Sequence, residues 1–359
     1  MRIGIVTIWD DTNIGNRLQN YAMSYILSQK MGFEVVTLRS LPLKRQTFIQ
    51  QFKERMALAS CIFPRLARKR FGVETIRYSR IYKWNRMIPS KVFLETQEIP
   101  RTIDKQFDYF VSGSDQIWNY TFSASRFHDY FLQFTDPEKR IAVAASIGLN
   151  SINDEWKAFY AKQLKSYKAI SVREERAKQI VEELSGRPAT VVVDPVMVMD
   201  VEDWMKVERL PKVDLHKNYI LLYILGAINK ELEAKIKKWG VEGNCTVYNM
   251  LDKEVPELFT CGPAEFLSLI KNAKLVVTDS FHCSAFSIIY NTPFVVVKRN
   301  DNHQDMGSRL DTLLKKYELN NRREENVKNV FHCDFSFADS VIGQEQDKFM
   351  KFLHSSLIP

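Results

Sequence analysis

The chain opens on an alternation. In Arg2–Ile8 the alternating stretch Ile3-Gly4-Ile5-Val6-Thr7-Ile8 follows Arg2 and predicts a β-strand. A polar loop, Trp9–Asn16, leads into a helical pattern over Arg17–Met31, which Gly32 is placed to close. A second apolar run, Phe33–Leu38, reads as the next strand. Strand, helix, strand at this spacing is a βαβ unit and implies a parallel sheet.

The same rhythm continues. Phe107–Ser112, Arg140–Ser146, Ala169–Val172 and Thr190–Val193 read as strands, with helices over Trp156–Ser166 and Glu174–Leu184. A polar stretch without pattern follows, and the alternation restarts at Tyr219–Leu225. Helices are expected over Asn229–Trp239, Pro263–Asn272 and Cys283–Tyr290, and strands over Asn244–Asn249, Leu275–Thr278 and Phe294–Val297. The expected fold class is α/β, with two Rossmann-like doubly wound domains facing a cleft. The first domain spans 1–198 with a helical insertion at 41–91. Residues 199–218 form a linker, 219–340 the second domain, and 341–359 a C-terminal helix.

Composition supports this without adding a function. With 359 residues, 45% hydrophobic and 26% charged, the chain fits two ordinary domains and not a disordered one. No apolar run reaches the roughly 18 residues that would span a bilayer. The strand at the start leaves no room for a secretory leader, so a cytoplasmic location is expected. Five scattered cysteines without a CxxC pair read as reduced thiols. The histidines show no ligand spacing, so no metal is expected, and no cofactor is called for.

Charge changes the picture locally. The net charge is +8, yet Leu41–Lys91 alone holds thirteen Lys or Arg against Glu54 and Glu74. Its helical apolar positions (Phe48, Phe52, Met56, Ala59) make it either a solvated insertion or a surface for anionic membrane. The second reading would put the protein peripherally at the inner face of a membrane. No motif supports nucleic acid.

Four strand-to-helix turns carry candidate chemistry. Thr278-Asp279-Ser280-Phe281-His282 would offer backbone N–H groups and a histidine to an anion, or serve as a helix cap with a structural histidine. Ser171-Val172-Arg173-Glu174 would bring Arg173 to a carboxylate or phosphate, or form a solvated first turn. Ser112–Asn119 holds Gly113 for a tight turn, Asp115 as partner or base for a sugar hydroxyl, and Trp118 to stack on a sugar or fill the core. Ser114 and Gln116 flank them. Asn13, Asn16 and Gln19 place amides after the first strand.

In order and wording these pieces resemble the polysaccharide pyruvyl transferase family. The matching stretches are NIGNRLQNYA, SGSDQIWN, SVREERA, VDPV at 193–196 and TDSFHCSAFSIIYNTPFVVV, and the resemblance runs over about residues 1–315. It implies a GT-B-like enzyme of surface polysaccharide or cell-wall glycan biosynthesis in a bacterium. Such an enzyme moves the enolpyruvyl group of phosphoenolpyruvate onto two hydroxyls of a sugar as a ketal. The first domain would then face the acceptor, a sugar or lipid-linked oligosaccharide, through Asn13, Asn16, Gln19, Ser114, Asp115, Gln116 and Trp118. The second would hold phosphoenolpyruvate, with Ser280 and Phe281 in its turn. Arg173 and His282 fall on the family's phosphoenolpyruvate-binding arginine and histidine. Two positions depart from the pattern. Many members carry arginine where this chain has Ser280, and glycine where it has Cys283. The phosphate then needs another cation, and Lys298 and Arg309 are the candidates. The expected roles are Arg173 on the carboxylate, Lys298 or Arg309 on the phosphate, His282 as acid and Asp115 as base. The competing readings are a GT-B glycosyltransferase using a nucleotide sugar, and a non-catalytic binding protein on the same fold.

Overall fold

Two parallel sheets form from these runs. The computed structural model describes residues 1–10, 12–40, 72–93, 98–213, 215, 218–300 and 308–358. Residues 41–71 of the basic segment lie outside that set, as do Cys61, His216, His303 and Gly307. The first sheet holds β1 (Arg2–Val6), β2 (Glu34–Ser40), β3 (Ser90–Phe93), β4 (Tyr109–Ser112), β5 (Arg140–Ala145), β6 (Ala169–Val172) and β7 (Thr190–Val191). Its order is β3-β2-β1-β4-β5-β6-β7. The second holds β8 (Tyr219–Tyr223), β9 (Thr246–Asn249), β10 (Leu275–Thr278) and β11 (Phe294–Val296), in the order β11-β10-β8-β9. All strand pairs are parallel. The α/β expectation with two doubly wound sheets is met.

The helices that matter below are α1 (Ile14–Tyr25), α2 (Val73–Asn85), α3 (Asp154–Lys165), α4 (Glu175–Ser185), α5 (Val201–Val207), α6 (Lys230–Glu242), α7 (Pro263–Lys271), α8 (Phe281–Ile289), α9 (Ser308–Lys316) and α10 (Ser336–Leu357). Asn13 caps α1, accepting from the Asn16 backbone N–H at 3.1 Å. Helix α1 therefore starts three residues earlier than the sequence predicts.

Successive residues of the central strands β4, β8 and β10 feed different cores. Ile3 and Ile5 of β1 and Val111 of β4 share one buried cluster with Leu221 of β8 and Val276 of β10. The opposite faces pack separately: Val6 and Phe110 in one cluster, Ile220 and Val277 in another. One apolar layer thus joins the two halves, which is why β5, β8 and β10 are buried along their whole length.

Two expected boundaries change. The stretch 199–218 contains α5, and its Trp204 is fully buried, donates to the Val196 carbonyl at 3.0 Å and meets Phe286 edge-on at 4.9 Å. Truncating such a residue costs about 3–5 kcal/mol, the cost of a core position and not of a linker. Helix α10 begins at Ser336 instead of 341, and it packs back on the first half. Lys168 Nζ donates to the Ser356 carbonyl at 2.9 Å, and Gln346 to that of Met197 at 3.1 Å.

Both sheets reverse direction once, between β1 and β4 and between β8 and β10. At such switch points the loops leaving adjacent strands diverge and open a crevice at the carboxyl ends. The candidate motifs leave β1, β4 and β10, which brings three of the four to that crevice. The fourth leaves β6.

Candidate functional site

The site begins at the turn after β4. Gly113 has φ +127, and a Cβ there would lie 2.2 Å from the Val143 carbonyl oxygen, so only glycine fits. Asp115 follows with φ +64, a left-handed conformation that Asp tolerates better than most residues. Its carboxylate is buried and meets three groups from distant parts of the chain. Asn16 Nδ2 donates at 3.2 Å, Arg173 Nη2 donates at 3.4 Å, and Arg309 Nη1 lies at 3.7 Å.

Arg173 reaches this point from the end of β6. Its Nη1 donates to Asp194 Oδ2, and its guanidinium lies 4.3 Å above the Phe281 ring. Asp194 follows β7 and accepts in addition from Ser114 Oγ at 3.0 Å and from the Val196 N–H at 3.0 Å. His282 arrives from the second sheet, on the first turn of α8, with Nε2 at 3.8 Å from Asp194 Oδ2. That nitrogen is buried without a hydrogen-bond partner. Its other edge is closed by α1: a Cβ on Gly15 would lie 2.4 Å from His282 Nδ1. Three cationic or titratable groups and two carboxylates from both halves therefore meet in one dry cluster.

The electrostatics follow from that meeting. Burial alone would raise the Asp115 carboxyl, but the guanidinium charges of Arg173 and Arg309 and the hydrogen bond from Asn16 hold it well below the usual carboxylate range. Burial lowers Arg173, and the carboxylates of Asp194, Asp115 and Glu174 more than restore it. Arg309 is pushed down to about 10 by burial and by the Arg173 charge. Burial likewise lowers His282 against the pull of Asp194 and Asp115, so the imidazole is neutral near pH 7.

Several expected roles change here. A carboxylate held as low as Asp115 is a weak base, and its position makes it a bridge between cations. Trp118 has no exposed surface and stacks on Phe131 at 5.3 Å, so it packs the core and cannot stack on a sugar. Gln19 is fully buried, donating to Thr7 Oγ1 at 2.8 Å. Ser114 is fully buried on Asp194. Ser280 caps α8, with the Cys283 N–H at 3.5 Å from its Oγ. Asn16 is committed to Asp115, Arg17 and the Asp10 N–H. Gln116 lies between Asn119 and Arg309, and its amide oxygen faces only one of them. Asn13 keeps an exposed side chain beside its cap.

Of the two replacement cations, Arg309 is in the cluster and Lys298 is not. Lys298 is exposed, and the next residue, Arg299, turns inward instead. Arg299 Nε donates to Asp279 Oδ2 at 3.1 Å. Asp279 also accepts from the Leu225 and Gly226 N–H groups at 2.8 Å each, locking the loop after β8 to the His282 turn. Two further residues escape a reading of the sequence. Asp194, in the VDPV stretch, ties Arg173 to His282. Glu174, which reads as a solvated first turn, is buried. Its Oε1 accepts from Ser146 Oγ at 2.7 Å, the Ile147 N–H at 3.0 Å and the Gly148 N–H at 2.9 Å. The signals for them are an acidic residue ending a strand before proline, and an acidic residue directly after the site arginine.

Among the described residues no three His, Cys, Asp or Glu side chains form a set that could hold a metal ion. No helix of the described residues is long and apolar enough to cross a membrane.

The fold and cluster define an α/β protein of two parallel-sheet halves with a buried cluster of arginine, histidine and aspartate side chains between them. The chain belongs to the polysaccharide pyruvyl transferase family, whose model matches residues 13–302. That span takes in all four motifs and stops short of Arg309. No curated protein matches the chain. Among solved structures, it is similar to UDP-GlcNAc 2-epimerase from Methanocaldococcus jannaschii, at 14% identity and TM-score 0.49, over 99% of this chain and 100% of the other. The UDP-GlcNAc 2-epimerase from Neisseria meningitidis bound to UDP-GlcNAc follows at 9% identity and TM-score 0.48, over 99% and 100%. At these scores the likeness says nothing about ligand or reaction.

Proposed function

We propose that this protein moves the three-carbon unit of phosphoenolpyruvate onto two hydroxyls of a sugar, closing a pyruvate ketal in surface polysaccharide biosynthesis. The observation that carries the reading is the convergence of Arg173, Arg309 and His282, from three separate segments, on the buried carboxylates of Asp115 and Asp194. Phosphoenolpyruvate bears about three negative charges near neutral pH, and a dry site for it needs this many positive or donating groups. Arg173 takes the carboxylate in a forked pair. Arg309 takes the phosphate.

His282 supplies the proton. In the resting cluster it is neutral, because burial and two neighbouring guanidiniums disfavour its cation. A trianion bound to those guanidiniums cancels their charge, raises the imidazole and lets it take up the proton it will deliver. The proton moves from Nε2 to the methylene carbon of the donor. A sugar hydroxyl attacks the adjacent carbon, and a second hydroxyl displaces phosphate. One hydroxyl proton restores His282 and the other leaves with the phosphate. The products are ketal and inorganic phosphate, with no oxidant or reductant consumed.

The test is incubation with phosphoenolpyruvate and a panel of lipid-linked and nitrophenyl glycosides, read by phosphate release and by product mass. Phosphate and a sugar carrying a pyruvate unit less one water should appear together. Thermal stabilisation by nucleotide sugars and none by phosphoenolpyruvate would overturn the reading.

A further inference from the structure

A second basic cluster lies apart from Arg173 and His282. A cavity of about 600 Å³ is bounded by α2, by the chain from α5 to Lys212, by the turn Pro256–Phe259 and by the start of α7. Five cationic side chains line it: Arg80, Lys83, Lys206, Arg209 and Lys212. Glu257 and Glu265 are the carboxylates in its wall. Glu265 is already spent on the Gly262 N–H, at 3.0 Å. Lys206 pairs with Asp203 at 2.7 Å, but among the described residues Lys83, Arg209 and Lys212 have no carboxylate partner.

Like charges brought together on a concave wall repel one another and raise the local concentration of anions. Arg80 adds a sharper sign. Its Nη1 is shut off from water and has no hydrogen-bond acceptor, a deficit that costs a folded protein free energy until an acceptor arrives. The cavity is large enough for a small ligand and not only for an ion, since such sites run to about 300–1,000 Å³. Trp84 and Met87 give part of the wall an apolar character. Trp84 also donates to the Arg17 carbonyl at 3.4 Å, two residues along α1 from the Gly15 that closes on His282.

We infer that this cavity binds a diphosphate whose attached group lies against Trp84 and Met87. Four to five cations suit a diphosphate better than a single carboxylate, and the apolar wall requires something beyond inorganic phosphate. The site stands independently of whether phosphoenolpyruvate is the donor at His282.

Isothermal titration at low ionic strength tests this with inorganic pyrophosphate, UDP, geranyl diphosphate and phosphoenolpyruvate. Pyrophosphate binds the wild type and His282→Ala alike. The Lys83→Ala/Arg209→Ala variant loses pyrophosphate binding at least about tenfold, as expected for two lost charged contacts, and leaves phosphoenolpyruvate binding unchanged. Both side chains are exposed, so the variant retains the fold. Tighter binding of geranyl diphosphate than of UDP identifies a lipid diphosphate as the source, and the reverse a nucleotide. Absence of pyrophosphate binding at low salt, or equal binding by the double variant, overturns the inference.

Discussion

Replacing Gly15 by alanine isolates the contact between the halves at the point where chemistry is proposed. The new Cβ would stand 2.4 Å from His282 Nδ1, 2.6 Å from Cγ and 2.9 Å from Cβ. Ordinary carbon contacts begin at about 3.5 Å, so either the ring or the first turn of α1 must move by about 1 Å. Overpacking of this kind costs about 1–3 kcal/mol. The same displacement at a reacting group costs about 10²-fold in rate. Gly15→Ala is therefore expected to fold, to melt a few degrees lower and to lose about two orders of magnitude in kcat. The readouts are phosphate release under saturating phosphoenolpyruvate, calorimetric Tm, and the His282 imidazole resonances by NMR. Gly343 is the control, because it lies exposed in α10 and a Cβ added there would meet nothing within 4 Å. Gly343→Ala should leave kcat unchanged and gain up to about 1 kcal/mol of stability. A Gly15→Ala enzyme with kcat within a factor of two of wild type and unshifted imidazole resonances would refute the reasoning.

Arg173→Ala should lower both turnover and stability. It leaves Asp194 and Asp115 buried beside a lost partner, a situation that costs about 3–5 kcal/mol; urea denaturation of Arg173→Ala against Arg173→Met/Asp194→Asn measures it, and a loss below about 1 kcal/mol in the single variant would contradict the geometry. His282 carries a pH signature. Its folded pKa lies below the ordinary value of ~6.5, so the unfolded chain binds the proton more tightly. The stability from the neutral ring is complete above that value and is lost as pH falls. Wild type should thus lose more stability than His282→Gln between about pH 7 and pH 5, and parallel pH curves would count against a neutral buried imidazole.

The parallel strands were legible because both faces of such a sheet are covered, which leaves an apolar run in the sequence. Leu275–Thr278 is predicted with the bounds it has, and Ala169–Val172 as well. The edge strand β3 was not legible. Ser90–Phe93 is half polar and follows directly on the basic segment, and an edge strand buries too little to show a pattern. Residues 199–218 read as a linker because Trp204 is one large apolar residue among charges, and its burial depends on Val196 and Phe286 from elsewhere in the chain. The site divided in the same way. Strand-to-helix turns announce themselves by polar residues after an apolar run, and this pointed to Arg173 and His282. Which of those residues face the crevice depends on local twist and on partners far away in sequence. Trp118 and Gln19 turned inward to the core, Ser114 turned onto Asp194, and Arg299 instead of Lys298 turned inward, onto Asp279. Asp194 and Glu174 could not be separated from solvated acids until their donors were placed.

The two arginines of the cluster differ in how their charge is compensated. Arg173 makes a hydrogen-bonded pair with Asp194 and a second contact with Asp115, and these carboxylates hold it above the ordinary guanidinium range. Arg309 has the Asp115 carboxylate at 3.7 Å, beyond a hydrogen bond, faces the Gln116 amide, and is pushed down to about 10, while the Nε of both arginines is buried without an acceptor. A buried cation that is poorly paired gains most when an anion arrives, because the desolvation has already been suffered and only the attraction is added. Arg309 is thus the guanidinium with less carboxylate compensation, and on the proposed reading the more highly charged end of the donor would fall to it. Arg173 would have to give up Asp194 to engage a ligand fully, which suits the singly charged carboxylate at the other end. Freed from Arg173, Asp194 would be left with His282 as its nearest titratable neighbour and would favour its protonated form. On the proposed reading, donor binding and loading of the acid would be one event, driven by the exchange of partners on Asp194.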